Sequence, residues 1–551
     1  MKHLGVFLSY VVLSAAWSWP TCLLSSDTLV TRQFDLYPAI WLVDRAPEAF
    51  PGLYTQLSAW PIGESLTRAD SFVLVLIGWV VQGVLPARVV CALVAWLGPA
   101  ISALAAERCA GDGFGVPRPW SWLAGVVYGF SGVAATACLE GHVYQLLAPG
   151  LPLLWWAWAR ARTWRGGLLV GLAFAFALYS TAYQGVLALV LIVGLSLADP
   201  RRALRLAVGT ALVALPAGLW YVRIYGQAGG FGDGELIDPA RILVDGTIPV
   251  SALAGWSTGM DIAGHSMATP VGWMGFWLLL FAPVALRGEA GWRVPAVLAL
   301  LALGFALGRL PRWDLGAAGM DLGLDALARM PGLTLFRFPV RGMALYALVA
   351  GVVGARVLAR AGEVVPRFAA AALGLAVLDA VVGTGLPWRL GAPPAAIPSA
   401  YDAAPEGLAV LDLYGRPADR SGGEMELWAR ALSCYYQTGH RRPILEVCLG
   451  TGVESPRELT DRWLARQLLG GDVAATAAGD LGALGVGAVA VHADFYRPGD
   501  LAALETALEQ LLGPPVAESA DGGERVVLYA VPSGPAGTME TAWRRVRAGG
   551  S

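Results

Sequence analysis

The sequence predicts a polytopic α-helical membrane protein that ends in a small α/β domain. Residues 1–386 alternate between apolar runs of membrane-spanning length and short connections, and arginines gather on every second connection. The 551 residues are 56% hydrophobic and only 15% charged, and their mean hydropathy is +0.57. Because a soluble domain carries about 25% charged residues, most of this chain is solvated by lipid.

About eleven apolar runs approach the ~20 residues that a helix needs to cross the hydrocarbon core of a bilayer. They are residues 4–23, 88–107, 119–139, 142–159, 166–183, 184–199, 203–222, 271–287, 293–309, 339–358 and 367–386. Cytoplasmic loops gather Lys and Arg, so the arginine-bearing connections are placed inside. Those connections are 108–118, 160–165, 200–205, 287–293 and 356–367. This topology puts the N-terminus in the cytoplasm and the C-terminal domain outside the plasma (inner) membrane.

One further apolar segment does not fit a crossing. Residues 72–86 (FVLVLIGWVVQGVLP) are short for a span, and Pro86 ends the run. A full crossing here would invert every later connection and move the arginine clusters to the wrong side. We therefore predict a re-entrant or interfacial helix for this segment, with a true span as the alternative.

The predicted outer face consists of three loops and the C-terminal region. The bundle occupies residues 1–386, and its outer loops are 24–87, 223–270 and 310–338. A Pro-rich linker at 387–400 leads to an α/β domain at 401–532. The Gly-rich tail at 533–551 is predicted to be disordered. Within the domain, strands are predicted at 408–413, 486–492 and 525–531, with helices at 424–436, 458–469 and 499–512. Cys434 and Cys448 fall in this domain, where an oxidising compartment permits a disulfide; two buried thiols are the alternative.

Charge and motif content exclude several functional classes. A net charge of −2 leaves no electrostatic footprint for nucleic acid. The six cysteines lack the CxxC spacing of zinc sites, and the chain has no Walker loop, HExxH pair or GxSxG elbow. The sequence also lacks the inverted halves that are typical of many transporters. No metal site is assigned, and the cofactor is unknown.

Two acidic segments stand out among the predicted outer residues. Asp27 and Asp35 follow the first span, and on a helix they would lie within about 80° of one face. A carboxylate near the membrane surface can act as a general base or a metal ligand; an ordinary solvated loop acid is the alternative. Glu140 and His142 lie at a tight turn between two spans, either as a solvated cap or as a proton-handling or hydrogen-bonding site that faces the first loop.

Two more segments place polar or cationic side chains at predicted outer turns. Residues 179–184 (YSTAYQ) include Tyr183 and Gln184, as an interfacial aromatic anchor or as part of a polar site. Arg337 and Arg341, in the run FRFPVR, lie at the outer mouth of a span, against the usual inside bias. A guanidinium presents a planar fork of donors to phosphate, so these arginines suit a lipid-linked phosphate; snorkelling to ordinary headgroups is the alternative.

The order of these segments resembles a known family. After the early aspartates come AGVVYGFSG at 124–132, Gly141 with His142, Leu151 with Pro152, AYQG at 182–185 and PGLTLFRFPVR at 331–341, followed by the small α/β domain. This order resembles the YfhO-like bacterial membrane proteins, an outlying branch of the C-type (GT-C) membrane glycosyltransferases. The resemblance covers most of the chain, and each of its motifs is short.

The resemblance implies a GT-C-like helical bundle that transfers a sugar on the outer face of the membrane. The acidic catalytic residue of the first outer loop is then Asp35 or Asp27. Asp35 is favoured, because DLYPAIW at 35–41 places an aspartate shortly before an aromatic anchor. The adjacent acidic pair of many C-type enzymes is missing from this sequence.

The resemblance also implies roles for the other polar candidates. Glu140 and His142 would orient the aspartate or bind sugar hydroxyls, and Tyr183 and Gln184 would contact the substrate. Arg337 or Arg341 would stabilise the departing lipid phosphate. The implied partners are a polyprenyl-phosphate-linked hexose or pentose, a glycan, lipid or protein acceptor of the cell envelope, and membrane lipids. Two other functions stay open: a non-catalytic scaffold with this fold, and a transporter or flippase of envelope lipids.

Overall fold

The computed structural model describes most of the bundle and of the C-terminal domain. The described residues are 2–25, 27–31, 35–49, 54–60, 64–66, 71–81, 84–227, 260–262, 265–267, 273–287, 292–307, 309–310, 320–321, 339–379, 395–415, 422–446, 448, 456–469, 475–521, 524–532 and 538–550. Most of the predicted loops 223–270 and 310–338 therefore lies outside the described residues, and so does Arg337.

The apolar runs fold as helices, because a backbone in lipid must satisfy its own hydrogen bonds. These helices are α1 (Lys2–Trp17), α2 (Leu36–Ala49), α3 (Phe72–Val80), α4 (Ala87–Arg108), α5 (Ser121–Gly129), α6 (Gly132–Leu139), α7 (Val143–Leu146), α8 (Gly150–Arg160), α9 (Trp164–Ser180), α10 (Ala182–Ala198), α11 (Pro200–Gln227), α12 (Trp273–Ala285), α13 (Arg293–Leu307), α14 (Met343–Val364) and α15 (Pro366–Leu378). Some connections between the helices contain a short antiparallel strand pair. These pairs are β1 (Tyr54–Thr55) with β2 (Glu64–Ser65), β3 (Met260–Ile262) with β4 (His265–Met267), and β5 (Arg309–Leu310) with β6 (Met320–Asp321).

Length and hydropathy identify the chain as an integral membrane protein. Among the described residues, four helical segments are long and apolar enough to cross a bilayer: Ala87–Gly113, Ser121–Leu139, Pro200–Arg223 and Met343–Val364. Shorter apolar helices such as Trp164–Ser180 pack beside them. The predicted number of about eleven crossings stays a prediction.

Two predicted spans are interrupted. The predicted span 119–139 divides into α5 and α6, and the Ser131 hydroxyl caps α6 by accepting a hydrogen bond from the Ala134 backbone at 3.3 Å. The predicted span 142–159 divides into the short α7 and α8, with Pro149 just before α8. Both breaks fall inside apolar runs, so hydrophobicity alone does not reveal them.

The segment 72–86 contains a helix that is too short to cross a membrane. Its α3 helix has nine residues, and at 1.5 Å per residue it is about 13.5 Å long, against a hydrocarbon core of about 30 Å. It packs against α2 so closely that a Cβ at Gly78 would lie 2.7 Å from the Val43 carbonyl oxygen. Whether the segment crosses the bilayer stays a prediction.

The C-terminal region is an α/β domain. Its strands are β7 (Ala409–Tyr414), β8 (Val486–His492), β9 (Ala517–Ser519) and β10 (Val526–Ala530), and its helices include α16 (Gly422–His440), α17 (Pro456–Leu469), α18 (Ala475–Ala483) and α19 (Pro498–Leu512). The sheet order is β7-β8-β10-β9; β7 runs parallel to β8, and β10 is antiparallel to both β8 and β9. The three predicted strands and three predicted helices are present, whereas β9 and α18 were not predicted.

The predicted pairing of Cys434 with Cys448 is present as a disulfide. It ties α16 to the segment that follows it, across 14 positions of sequence. Both sulfur-bearing residues are buried, so the bond belongs to the core of the domain.

The prediction of a disordered tail at 533–551 is wrong for most of that segment. Residues Met539–Gly550 form helix α20, which packs against α17 and α18. Ala542 and Val546, four positions apart, are buried on its inner face, while arginines cover the outer face. The glycines that suggested disorder lie at the ends of the segment, and the apolar stripe between them decides the structure.

Helix α2 lies between the bundle and the C-terminal domain. It packs against α3 and α4 on one side and α16 on the other, and Ile40, Trp41 and Ala46 are almost completely buried. Near its start the end of the linker is fixed, because the Ala395 backbone nitrogen donates to the Asp27 carbonyl at 2.9 Å. This arrangement sets the position of the residue that precedes α2, which is Asp35.

The packing of α20 predicts that Val546→Asp will release the helix. Full burial of a valine is worth about 1.5–3 kcal/mol, and a buried carboxylate without a partner adds to the cost. Hydrogen exchange of the amides at 539–550 should therefore lose most of its protection. The control is Arg544→Ala, at a side chain that is 77% exposed, which should keep the protection. Rapid exchange of these amides in the unmodified protein would contradict a packed helix.

Candidate active site

A sharp turn after α6 brings polar candidates beside the start of α2. Gly141 has φ +83°, in the left-handed region that glycine adopts at little cost. A Cβ at this position would lie 2.6 Å from the backbone nitrogen of Leu36. The close approach therefore requires glycine, and it places Glu140 and His142 next to Asp35.

His142 contacts a carboxylate through each ring nitrogen. Nε2 lies 3.1 Å from Asp35 Oδ2, and Nδ1 lies 3.2 Å from Glu140 Oε2. His142 and Glu140 are buried, whereas the Asp35 side chain is 30% exposed. Because both nitrogens face acceptors, the ring donates from both, which is the hydrogen-bonding state of the imidazolium.

The pKa of His142 is consistent with this state. Burial by itself would lower the pKa, but the charge of Asp35 and hydrogen bonds to Asp35 and Glu140 outweigh burial and raise the pKa to about 9. The positive charge of Arg341 opposes the rise. At neutral pH His142 is therefore an imidazolium.

Arg341 belongs to the same site. Its charge acts on His142, and its guanidinium lies over the ring of Tyr183 at 4.0 Å from the ring centroid. This distance is within the range of a cation–π contact, which orients the guanidinium. Arg341 is part of a 3₁₀ turn, Pro339–Gly342, that leads into α14, and Tyr183 is in the first turn of α10. Arg341 thus connects the first turn of α10 with the surroundings of His142.

Gln184 follows Tyr183 in the first turn of α10. Thr181 caps this helix by accepting a hydrogen bond from the Gln184 backbone nitrogen at 3.0 Å. The Gln184 side chain is 5% exposed, and its Oε1 atom has no hydrogen-bond partner within the described part of the chain. A buried amide oxygen in this state is suited to accept a hydrogen bond from a ligand hydroxyl.

The structure separates the two candidate aspartates. Asp35 contacts His142, whereas Asp27 has an exposed side chain and a backbone carbonyl that binds the linker at Ala395. Arg337 lies outside the described residues, so its predicted role is a proposal only. The structure therefore brings together Asp35, Glu140, His142, Tyr183 and Arg341.

Sequence reasoning missed Tyr144. Its ring packs edge-on against His142, with the centroids 5.7 Å apart and the planes at 88°. The sequence signal was weak, because the contact depends on the local backbone of His142 and α7, which the sequence pattern does not reveal. Tyr144 covers one side of the imidazole and restricts its orientation.

The arrangement suits proton transfer and anion binding. Both nitrogens of His142 face carboxylates, so neither directs a lone pair at a metal ion. Among the residues that the structure describes, no group of three or more His, Cys, Asp or Glu side chains is arranged to hold a metal. The partly exposed carboxylate of Asp35 can accept a proton, and Arg341 can bind an anion beside it.

The geometry predicts that the His142 imidazole titrates near pH 9. The folded pKa lies above the unfolded value of about 6.5, so His142 stabilises the fold fully below pH 6.5, and this contribution is lost as the pH rises through 9. NMR of protein with ¹³C-labelled histidine can follow the titration, because the chain has five histidines and His142→Gln assigns the signal. His440, whose pKa is lowered by burial to about 4, is the internal comparison. A midpoint at or below 6.5 would rule out the imidazolium.

The fold is similar to those of solved glycosyltransferases. The arabinofuranosyltransferase AftD from Mycobacteria superposes with a TM-score of 0.59 at 16% identity, over 97% of this chain and 40% of that chain. The oligosaccharyltransferase AglB from Archaeoglobus fulgidus, in complex with an inhibitory peptide and a dolichol-phosphate, superposes with a TM-score of 0.50 at 12% identity, over 90% and 70%. The chain thus spans 40% of the length of AftD.

These similarities establish the fold. No protein-family model and no curated protein matches the chain. The predicted resemblance to the C-type glycosyltransferases is confirmed at the level of fold, while the YfhO-like branch stays a prediction. The chain has the fold of the C-type (GT-C) membrane glycosyltransferases.

Proposed function

We propose that this protein transfers a sugar from a polyprenyl-phosphate donor to an acceptor of the cell envelope, on the outer face of the plasma membrane. The observation that carries the proposal is the contact of the partly exposed Asp35 with the buried His142, beside the cation Arg341. A base next to an anion site is what displacement of a lipid phosphate requires. The fold supports the same class of reaction, and one protein of similar fold, AglB, was solved with a dolichol-phosphate.

The proposed reaction is one displacement at the anomeric carbon. The Asp35 carboxylate accepts the proton of an acceptor hydroxyl while the oxygen forms a bond to that carbon. The bond from the carbon to the phosphate oxygen breaks, and its electron pair leaves on the lipid phosphate. The proton on Asp35 then passes to the phosphate or to water, which restores the carboxylate.

The neighbours of Asp35 position the base and bind the donor. The imidazolium of His142 fixes the carboxylate, and Glu140 fixes the imidazolium from the opposite nitrogen. Arg341 stabilises the negative charge that develops on the leaving phosphate. We assign Tyr183 to the orientation of Arg341. The Gln184 Oε1 atom, which has no hydrogen-bond partner among the described residues, is assigned to a sugar hydroxyl. Arg337, four positions before Arg341, is proposed as a second phosphate ligand.

Two features support an outward orientation of the site. The arginine-bearing connections favour a cytoplasmic N-terminus and an extracytoplasmic C-terminal domain. The disulfide between Cys434 and Cys448 lies in that domain, and disulfides persist in oxidising compartments. Since α2 joins this domain to the bundle, Asp35 lies at the same end of the molecule.

The proposal predicts that Asp35→Asn will abolish most of the transfer. The change is isosteric and removes the proton acceptor, and general-base catalysis contributes about 10²–10⁴-fold. The assay presents synthetic polyprenyl-phosphate hexoses and pentoses, with an envelope extract as acceptor, to the purified protein in nanodiscs. Release of polyprenyl phosphate is measured.

The control for this assay is Asp402→Asn, the same isosteric loss of charge at an exposed residue of the C-terminal domain, which should leave the rate unchanged. Full activity of Asp35→Asn combined with loss of activity in Asp27→Asn would move the base to Asp27. If the unmodified protein releases lipid phosphate from none of the donors, the non-catalytic scaffold is favoured.

Arg341→Ala should weaken binding of the lipid phosphate. A hydrogen bond to a charged group is worth about 1.5–3 kcal/mol, so the dissociation constant for polyprenyl phosphate should rise about 10–150-fold. Arg341→Lys keeps the charge and should recover part of the affinity. Arg360→Ala removes an exposed arginine from the other end of α14 and serves as the control. Equal affinity of all four proteins would exclude Arg341 as the phosphate ligand.

A further inference from the structure

Helix α2 is held by different parts of the molecule at its two ends. Asp35, just before its first residue, contacts His142 of the bundle at 3.1 Å. Its later turns face α16 of the C-terminal domain. A helix of 14 residues is about 21 Å long and moves as a unit, so a shift at the domain end reaches Asp35.

The first contact with the domain is a buried hydrogen bond between an indole and an amide. Trp41 Nε1 donates to Gln437 Oε1 at 2.5 Å, and both side chains are fully buried. The Gln437 Nε2 atom donates to the carbonyl of Arg442 at 3.2 Å and to the carbonyl of Leu57. Each polar atom of the amide has a partner, so the amide holds Trp41 in one orientation.

The second contact is a network of four charges. Arg441 reaches Asp44 at 3.0 Å and Glu48 at 3.4 Å. The fully buried Arg45 binds the same two carboxylates, at 2.5 Å and 2.8 Å. A single exposed ion pair contributes little, but a network around a buried guanidinium fixes the geometry of the helix against its neighbour.

The backbone of Arg441 ends helix α16 in a left-handed turn. Its φ is +60°, in the left-handed region that a residue with a Cβ rarely adopts. Arg441 directly follows His440, the last residue of α16. The Arg441 backbone nitrogen donates to the Gln437 carbonyl at 3.0 Å, as at a common helix end, and this turn presents the guanidinium to Asp44 and Glu48.

Helix α16 is itself a fixed support. Its Cys434 is joined to Cys448, and the Cys448 backbone nitrogen donates to Glu64 at 2.8 Å. The next residue of α16 is Tyr435, and its hydroxyl donates to the Ala395 carbonyl at 2.6 Å. The helix that carries Gln437 is thus tied both to the first loop and to the linker.

We propose that Gln437 and Arg441 are positioning residues, through which the C-terminal domain holds α2 so that Asp35 stays on His142. The consequence for catalysis rests on the proposed function. The coupling between the domain and the Asp35–His142 contact does not, and it can be measured without any substrate.

The test is the titration of His142 by NMR in the full-length protein, because Asp35 is the largest cause that raises its pKa. In Arg441→Gln and in Gln437→Met, the midpoint should fall from about 9 by at least one pH unit, as Asp35 moves away. The sign is diagnostic. Removal of a positive charge acting directly on His142 would raise its pKa, so a fall reports displacement of Asp35.

Arg441→Lys keeps the charge and serves as the matched control, in which the His142 midpoint should stay close to 9. His492, in the same domain, has a pKa that carboxylates also raise to about 9, and its unchanged midpoint shows that the domain is folded. Glu48→Gln alters a half-exposed side chain and gives a milder second variant on the α2 side. An unchanged or raised His142 midpoint in these variants, with His492 intact, overturns the proposal.

The transfer assay is read separately on the same variants. If the variants lower the His142 midpoint but the unmodified protein itself transfers no sugar, the positioning role is retained and the proposed function is contradicted. An unshifted midpoint in an active protein contradicts the positioning role alone. With both proposals correct, the rate of Arg441→Gln should fall together with the midpoint, and Arg441→Lys should recover both.

Discussion

A buried imidazolium between two carboxylates is the interaction on which the rest of the site depends. The rise of the His142 pKa from 6.5 to about 9 corresponds to about 3 kcal/mol of preference for the charged ring. Loss of one carboxylate would leave the other as the partner of the ring, so the preference for the charged form would fall. The glycine turn at Gly141 and the docking of α2 both serve this contact, because they set the distance between His142 and Asp35.

The protein has a second buried histidine between two carboxylates, and the two clusters differ in the exposure of their carboxylates. In the C-terminal domain, His492 lies between Glu524 and Asp412, and its ring stacks on Tyr414 at 3.9 Å between centroids. Its carboxylates are 11% and 1% exposed, whereas Asp35 is 30% exposed. A carboxylate that a substrate can reach is a candidate base. The enclosed cluster at His492 is better explained as a determinant of packing in the sheet domain.

Much of the architecture could be predicted from the sequence, because a helix that is solvated by lipid requires a long run of apolar residues. Strands β7, β8 and β10 were equally visible, as short apolar runs between polar turns, whereas β9 was not. The interruption near Ser131 was not, because a break inside an apolar run leaves no trace in hydrophobicity. Of the site, Asp35, Glu140, His142 and Arg341 could be named individually as polar residues at predicted turns. Their convergence could not, since it depends on packing across the chain. The bond from Trp41 to Gln437, which joins residues 396 positions apart, illustrates the same limit.

Under the proposed function, a sugar is displaced from its lipid phosphate beside Asp35, and the departing phosphate is bound by Arg341. A cryo-EM map of the protein in nanodiscs with added polyprenyl phosphate tests this claim most directly. We expect phosphate density within hydrogen-bond distance of the Arg341 guanidinium, with the Asp35 carboxylate facing the space beside it. Phosphate density at the opposite end of the bundle, with the Arg341 site unchanged by the lipid, would contradict it.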